Sequence, residues 1–147
     1  MIRHKKICDL IPHAGTMCLL DEVIACDDDS IVCNTSTHYD PENPLRTVDG
    51  LSAVHAIEYA AQAMALHGSL TGHRRQAEAK SGIIASVRDV EMHVKWLHDI
   101  FAPMQVTTKR IRSDTNGAAY VFSANGNDQL LVRGQVTVTY SISEAAP

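Results

Sequence analysis

The sequence contains no apolar run near the ~18 residues of a membrane-spanning helix. Its basic N-terminal stretch also lacks the apolar core that a signal peptide requires. We therefore expect a cytoplasmic protein that does not associate with a membrane. Aromatic residues make up only 5% of the chain and the formal net charge is -4, so nucleic-acid binding is not expected either.

Closely spaced cysteine pairs of the C-x-x-C type are also missing. Cys8, Cys18, Cys26 and Cys33 stand too far apart for a zinc motif, and their spacing gives no support to a disulfide framework. We expect reduced structural thiols. We expect neither a metal site nor a bound cofactor, because five histidines show no ligand spacing with cysteines or carboxylates: His4, His67, His73, His93 and His98.

What the chain does contain is one long alanine-rich stretch, residues 51–67, which predicts a helix. Asp49 or Ser52 can cap its first amides, and Gly68 can end it in a left-handed turn. Apolar side chains cover most of the circumference, which is typical of a helix buried on more than one side. The rest of the chain is therefore expected to wrap around this helix.

One polar stripe interrupts the apolar surface of the predicted helix. Spacings of three and four residues place its members on a common face. They are Ser52, His55, Glu58, Tyr59 and Gln62. Glu58 has no lysine or arginine within the helix, and an unpaired buried carboxylate is costly unless it has a specific partner or function. Glu58 is therefore the first candidate for a functional residue.

Six segments have the alternation or the β-branched composition of strands, two before the helix and four after it. They span residues 17–26, 30–40, 82–94, 104–112, 117–125 and 129–140. This order predicts one α+β domain, residues 1–147, in which an antiparallel sheet of about six strands wraps one long central helix. Edge strands of such a sheet can pair between protomers, so we expect a homodimer or higher even oligomer. A heterodimer with a homologous partner is equally allowed.

Two motifs carry a resemblance to a known family. Residues 10–23, LIPHAGTMCLLDEV, resemble the L-P-H-R-x-P-x-L-L-x-D-x-V signature of the β-hydroxyacyl-acyl-carrier-protein dehydratases of fatty acid synthesis. Residues 57–63, IEYAAQA, resemble the I-E-A-x-A-Q-x signature of the central helix in that family. Residues 56–68 are still more similar to the GIEYAAQAMAxHG segment of divergent dehydratase-like proteins encoded in aryl polyene and related lipid gene clusters. The resemblance implies the hot-dog fold.

The resemblance also implies a reaction, the dehydration of a 3-hydroxyacyl thioester to the trans-2-enoyl thioester. The acyl group would be carried on the phosphopantetheine of an acyl carrier protein or on coenzyme A. Glu58 takes the position of the family's acid, which protonates the leaving hydroxyl in a site completed by the other subunit. The backbone amide at Gly50 and Leu51 would polarise the thioester carbonyl, where negative charge develops. Gln62 either orients the Glu58 carboxyl group or bonds a backbone group of the sheet.

The general base is less easily assigned. In the family a histidine of a G-H-F-P segment removes the proton α to the carbonyl, but its position falls on Pro44 here. His38, further upstream at the end of a strand, is one possible replacement. His55 is the other, and we name it as the candidate base because it shares a helical face with Glu58. The structural alternative is a buried His55 hydrogen-bonded to Glu58 or to the backbone.

Binding contacts are expected at both ends of the predicted site. Pro12 and His13 belong to the first motif and are expected at the mouth of the substrate tunnel, where His13 caps or packs rather than reacts. Several basic residues offer a docking patch for an acidic carrier protein or for the pantetheine phosphate, although solvated strand and loop faces give a similar pattern. These residues are Arg74, Arg75, Lys80, Arg88, Lys109, Arg110 and Arg112.

Three functions remain open at this point. The first is an active dehydratase that uses Glu58 and a relocated histidine. The second is a non-catalytic hot-dog subunit that binds acyl chains or stabilises a homologous partner, which the missing G-H-F-P histidine favours. The third is a hot-dog acyl thioesterase, in which a carboxylate activates water.

Overall fold

The alternating segments form one antiparallel sheet in a computed structural model that describes residues 2–11, 17–74 and 82–140. Its strands are β1 Ile2–Arg3, β2 Glu22–Cys26, β3 Ser30–Thr35, β4 Gly82–Met92, β5 Met104–Ser113, β6 Gly117–Gly126 and β7 Gln129–Tyr140. Their order in the sheet is β1-β2-β3-β5-β6-β7-β4, which leaves β1 and β4 at the edges. Pro12, His13, Arg75 and Lys80, with the contacts predicted for them, lie outside the described residues.

The sheet has one strand more than the sequence predicted. The addition is β1, which pairs Ile2 with Val23 of β2. Two residues are too few to show an alternating pattern, so this strand depends on its partner rather than on its own sequence. The second predicted strand is also shorter than expected, because residues 37–39 form a 3₁₀ turn after β3.

Two α-helices accompany the sheet, α1 at His4–Leu10 and α2 at Ala56–Arg74. A 3₁₀ turn at Ala53–His55 leads into α2, and the Ser52 hydroxyl caps that turn by accepting a hydrogen bond from the Val54 amide at 3.3 Å. The prediction that Gly68 ends the helix is wrong. α2 continues beyond it, and Thr71 in the next turn is anchored: this residue is 2% exposed, and its hydroxyl donates to the His67 carbonyl at 2.7 Å.

The core lies between α2 and the strands that curve around it. α2 packs against β3, β5 and β6. Its contact residues are small where the sheet comes close, and Ala56, Ala60 and Ala63 are completely buried. On the sheet side, Cys33 of β3 and Val106 of β5 are register partners and are also completely buried. The predicted architecture, a hot-dog fold with one long helix wrapped by an antiparallel sheet, is confirmed.

The cysteines differ from the expectation of four reduced thiols. Cys8 of α1 and Cys18 form a disulfide bond, with Cα atoms 5.8 Å apart. Spacing in the sequence could not indicate this pair, because the fold brings Cys18 back to the exposed end of α1. Cys26 and Cys33 remain thiols, and burial raises the pKa of the Cys33 thiol to about 12. In the described ranges, no helix combines the length and the apolar character needed to cross a membrane.

Candidate active site

Glu58 and Gln62 form a hydrogen-bonded pair on successive turns of α2. Glu58 is half-buried in the first turn, whereas Gln62 is completely buried. The Gln62 Nε2 atom donates to Glu58 Oε1 at 3.1 Å and to the Met17 carbonyl at 2.7 Å. Its Oε1 atom accepts from the Leu19 amide at 2.9 Å. Both contacts considered for Gln62 are therefore present together: this side chain orients the Glu58 carboxyl group and holds the backbone that precedes β2.

Tyr59 connects α2 to the segment that follows β3. Its hydroxyl lies 2.7 Å from the Thr37 hydroxyl and accepts a hydrogen bond from Asn43 Nδ2 at 3.0 Å. Burial raises the pKa of Tyr59 to about 12, so its hydroxyl keeps its proton at neutral pH. Although it belongs to the polar stripe, Tyr59 is completely buried, and its side chain fixes the backbone on both sides of His38.

His38 is the other histidine considered as the base, and its ring is fixed by its surroundings. It lies in the 3₁₀ turn after β3 and is completely buried. Its Nε2 atom is 2.8 Å from the Ile100 carbonyl, which can only accept, so Nε2 carries the proton and Nδ1 carries the lone pair. Nδ1 is buried and has no hydrogen-bond partner within the described part of the chain. Burial lowers the pKa of His38 from its ordinary value, which favours the neutral ring.

His55 lies in the 3₁₀ turn that leads into α2 and is half-buried. No hydrogen bond joins its ring to Glu58 among the residues that the structure describes. The role of base stays a prediction for His55, as it does for His38. The signal available in the sequence was a histidine at a strand end, followed by the proline-rich connection to the central helix.

His98 bonds the backbone just before the central helix, although no sequence motif marks it as a site residue. The Leu51 amide donates to His98 Nδ1 at 3.0 Å, and the Leu51 carbonyl accepts from the Leu97 amide at 2.8 Å. The other ring nitrogen of His98 lies 3.5 Å from Asp99 Oδ1. Gly50 has φ of +115°, and a side chain there would overlap the His98 ring. A thioester carbonyl bound at the Leu51 amide would therefore have to replace His98 Nδ1.

The basic residues expected to dock a carrier protein differ in their solvent exposure. Arg88, Lys109 and Arg112 are exposed on strands. Arg110 is half-buried and donates to the Asp28 carbonyl, which anchors β5 to the turn between β2 and β3. The exposed side chains remain available to an acidic partner, so carrier docking stays a prediction.

The family model described as ApeP-like, ApeP dehydratase, matches residues 5–146 of the chain. The match includes the Glu58–Gln62 pair, His38 and the Gly50–Leu51 turn. A comparison with curated proteins found no significant match.

Solved structures show the same fold at low sequence identity. The dehydratase heterocomplex ApeI:P from Xenorhabdus doucetiae is similar with a TM-score of 0.81 and 21% identity, over 93% of this chain and 91% of that one. AziG of S. sahachiroi has a TM-score of 0.57 and 14% identity, over 89% and 97%. A hypothetical thioesterase protein with coenzyme A from Streptococcus pneumoniae TIGR4 has a TM-score of 0.58 and 10% identity, over 82% and 84%.

Proposed function

Because the chain belongs to the ApeP-like dehydratase family, we propose that it removes water from a 3-hydroxyacyl thioester to form the trans-2-enoyl thioester in fatty-acid-like biosynthesis. The acyl group is carried on the phosphopantetheine of an acyl carrier protein or on coenzyme A. The observation that carries the proposal is the Glu58–Gln62 pair: a half-buried carboxyl group on the central helix, held in one orientation by a completely buried amide.

In the proposed reaction, His38 Nδ1 removes the proton α to the thioester carbonyl. The electron pair of the broken C–H bond forms the C=C bond, and the C–O bond to the 3-hydroxyl group breaks. Glu58, in its protonated form, gives its proton to that oxygen, which leaves as water. Gln62 keeps the Glu58 carboxyl group in one orientation through the 3.1 Å hydrogen bond. His38 replaces His55 as the preferred base.

A second hot-dog subunit completes this site in the proposal. β4 is an edge strand, and Ile84, Val87 and Met92 on it are 41%, 37% and 52% exposed. Their register partners on β7 are Val138, Val136 and Val132. Of these, Val136 and Val132 are completely buried. Register partners lie on the same face of a sheet, so the exposed apolar residues of β4 extend the core-facing side of the sheet to its edge. A homologous subunit is the favoured partner, because the similar X. doucetiae structure is a heterocomplex.

The product distinguishes this proposal from its alternatives. The purified chain, alone and with a homologous hot-dog subunit, is incubated with 3-hydroxyacyl thioesters of coenzyme A and of a carrier protein. Mass spectrometry then follows loss of water, and a thiol reagent follows release of free thiol. We expect the 2-enoyl thioester. Free thiol would indicate the thioesterase alternative instead, and no turnover under any condition would indicate an acyl-binding or partner-stabilising subunit.

The same assay distinguishes the two histidines. His38→Asn removes the base and is expected to lower kcat by about two to four orders of magnitude, the usual contribution of a general base. His55→Asn is the matched control and is expected to change kcat by much less. The opposite ranking would return the base to His55.

A further inference from the structure

A group of three side chains lies apart from the proposed active site. His4 and Cys8 stand one turn apart on α1, and Cys18 approaches them from the segment before β2. One potential ligand atom from each residue, a ring nitrogen or a Sγ, lies within 4.8 Å of the other two. The spacing of these residues in the sequence predicts no metal site, because only the folded chain brings Cys18 beside α1.

The proton positions on His4 indicate what this group can bind. His4 Nδ1 is 2.7 Å from the Leu20 carbonyl, which can only accept, so Nδ1 carries the ring proton. The lone pair is then on Nε2, which lies 3.4 Å from Cys8 Sγ. A sulfur atom in a disulfide has no proton to give to this lone pair. The Nε2 lone pair therefore has a partner only in two cases: Cys8 is a thiol that donates to it, or this nitrogen and the two sulfurs bind the same cation.

We propose that the reduced form of His4, Cys8 and Cys18 is a binding site for a borderline-soft divalent cation of the Zn²⁺ type. Two thiolates and one imidazole are a ligand set that zinc prefers, with water in a fourth, open position. A metal-bound histidine commonly donates its other N–H to a backbone carbonyl, as His4 does to Leu20. Asp21 Oδ1, 4.0 Å from the same nitrogen, adds negative charge behind the ring.

The disulfide and the metal site exclude each other. A phosphine or thiol reductant supplies two electrons to the S–S bond, and each sulfur takes up one proton. Binding of M²⁺ then releases both thiol protons as the thiolates form. Either link fixes Cys18, which stands between Met17 and Leu19, the two residues whose backbone bonds Gln62. The cation would thus hold this segment in the reduced protein as the disulfide does in the oxidised protein.

Cobalt is the probe for this site, because thiolate-bound tetrahedral Co²⁺ has strong visible and near-ultraviolet absorption. The full chain is reduced with a water-soluble phosphine, freed of reductant without oxygen, and titrated with Co²⁺. We expect one Co²⁺ per chain, displaced by Zn²⁺, and no such absorption for the oxidised protein. Absence of stoichiometric binding to the reduced wild type would overturn the proposal, whatever the variants show.

Variants identify the ligands. Cys18→Ser is expected to lose the thiolate absorption, while Cys26→Ser, which changes a cysteine outside the disulfide, keeps it. His4→Ala removes the imidazole ligand from an exposed side chain, and it is expected to weaken Co²⁺ binding by at least about tenfold. Circular dichroism checks that each variant is folded. Loss of binding in Cys26→Ser together with retention in Cys18→Ser would also overturn the proposal. This test does not depend on dehydration activity.

Discussion

A fully buried histidine needs an acceptor for its N–H group, and Ile100 supplies one for His38. The bond decides which nitrogen keeps the lone pair, and burial of the ring favours its neutral form. One residue thus combines a fixed tautomer, an unprotonated nitrogen and a position beside the Tyr59 hydrogen-bond network. None of these properties can be assigned to His38 from the sequence, because all three come from the backbone that surrounds it.

The lowered pKa of His38 makes the stability of the fold depend on pH. The unfolded chain has an ordinary histidine with pKa near 6.5, so below that pH it takes up a proton before the folded chain does. The stabilisation is complete above pH 6.5 and is lost as the pH falls from 6.5 toward the lower pKa of the folded state. We expect the Tm to fall more between pH 7.5 and 5.5 in the wild type than in His38→Asn.

Thermal melts monitored by circular dichroism at several pH values provide this comparison. His93→Asn, at an exposed histidine, is the control and should retain the slope of the wild type. Equal slopes for the wild type and His38→Asn would show that His38 titrates as an ordinary, solvated histidine.

Two glycines near the ends of the central helix differ in whether their position requires glycine. Gly50 has φ of +115° and packs against the His98 ring, which bonds the Leu51 amide. Gly68 lies inside α2, and a side chain there would meet nothing within 4 Å. Only the first position needs glycine, although the sequence suggested a special conformation for the second.

Gly50→Ala is expected to destabilise the fold by at least about 2 kcal/mol, through the strained backbone and the displacement of His98. Gly68→Ala is the matched control and is expected to stabilise by about 0.5–1 kcal/mol, since alanine favours the helix interior. Urea unfolding measures both free energies. A neutral Gly50→Ala would mean that the turn and the His98 contact are not retained in solution.

Elements with a local sequence pattern are predicted well, whereas contacts between residues distant in sequence are not. The strand pattern of residues 129–140 predicts β7 at its observed bounds, because its alternating and β-branched residues are a local signal. The wrapped central helix followed from the apolar surface of α2, the hot-dog fold from the family resemblance, and Glu58 and Gln62 from the polar stripe. The Cys8–Cys18 bond and the bond from His98 to Leu51 join residues distant in sequence, so local patterns could not indicate them.

At the scale of the whole molecule, β4 is an edge strand that carries exposed apolar residues. Val87 is 37% exposed although its register partner Val136 is completely buried. Val121 of β6 is similarly exposed, at 38%, but lies on an interior strand. Substitutions at these two valines therefore compare the edge strand with an interior strand at a similar solvent exposure.

Val87→Lys is expected to prevent association with the second subunit, because a charge at this edge would have to be desolvated in the interface. Val121→Lys should leave association unchanged. Light scattering coupled to size-exclusion chromatography, with and without the homologous subunit, reports the mass of each variant. Full assembly of Val87→Lys would place the interface elsewhere.

The central claim is that Glu58 protonates the leaving hydroxyl of a 3-hydroxyacyl thioester. Its most direct test is the rate of 2-enoyl thioester formation by Glu58→Gln in the assembled protein, beside Glu91→Gln, which alters an exposed carboxylate paired with Arg133. Glutamine keeps the shape of the side chain but cannot supply the acidic proton, so we predict a loss of about two to four orders of magnitude in kcat for Glu58→Gln alone. Dehydration at the wild-type rate in Glu58→Gln would contradict the account.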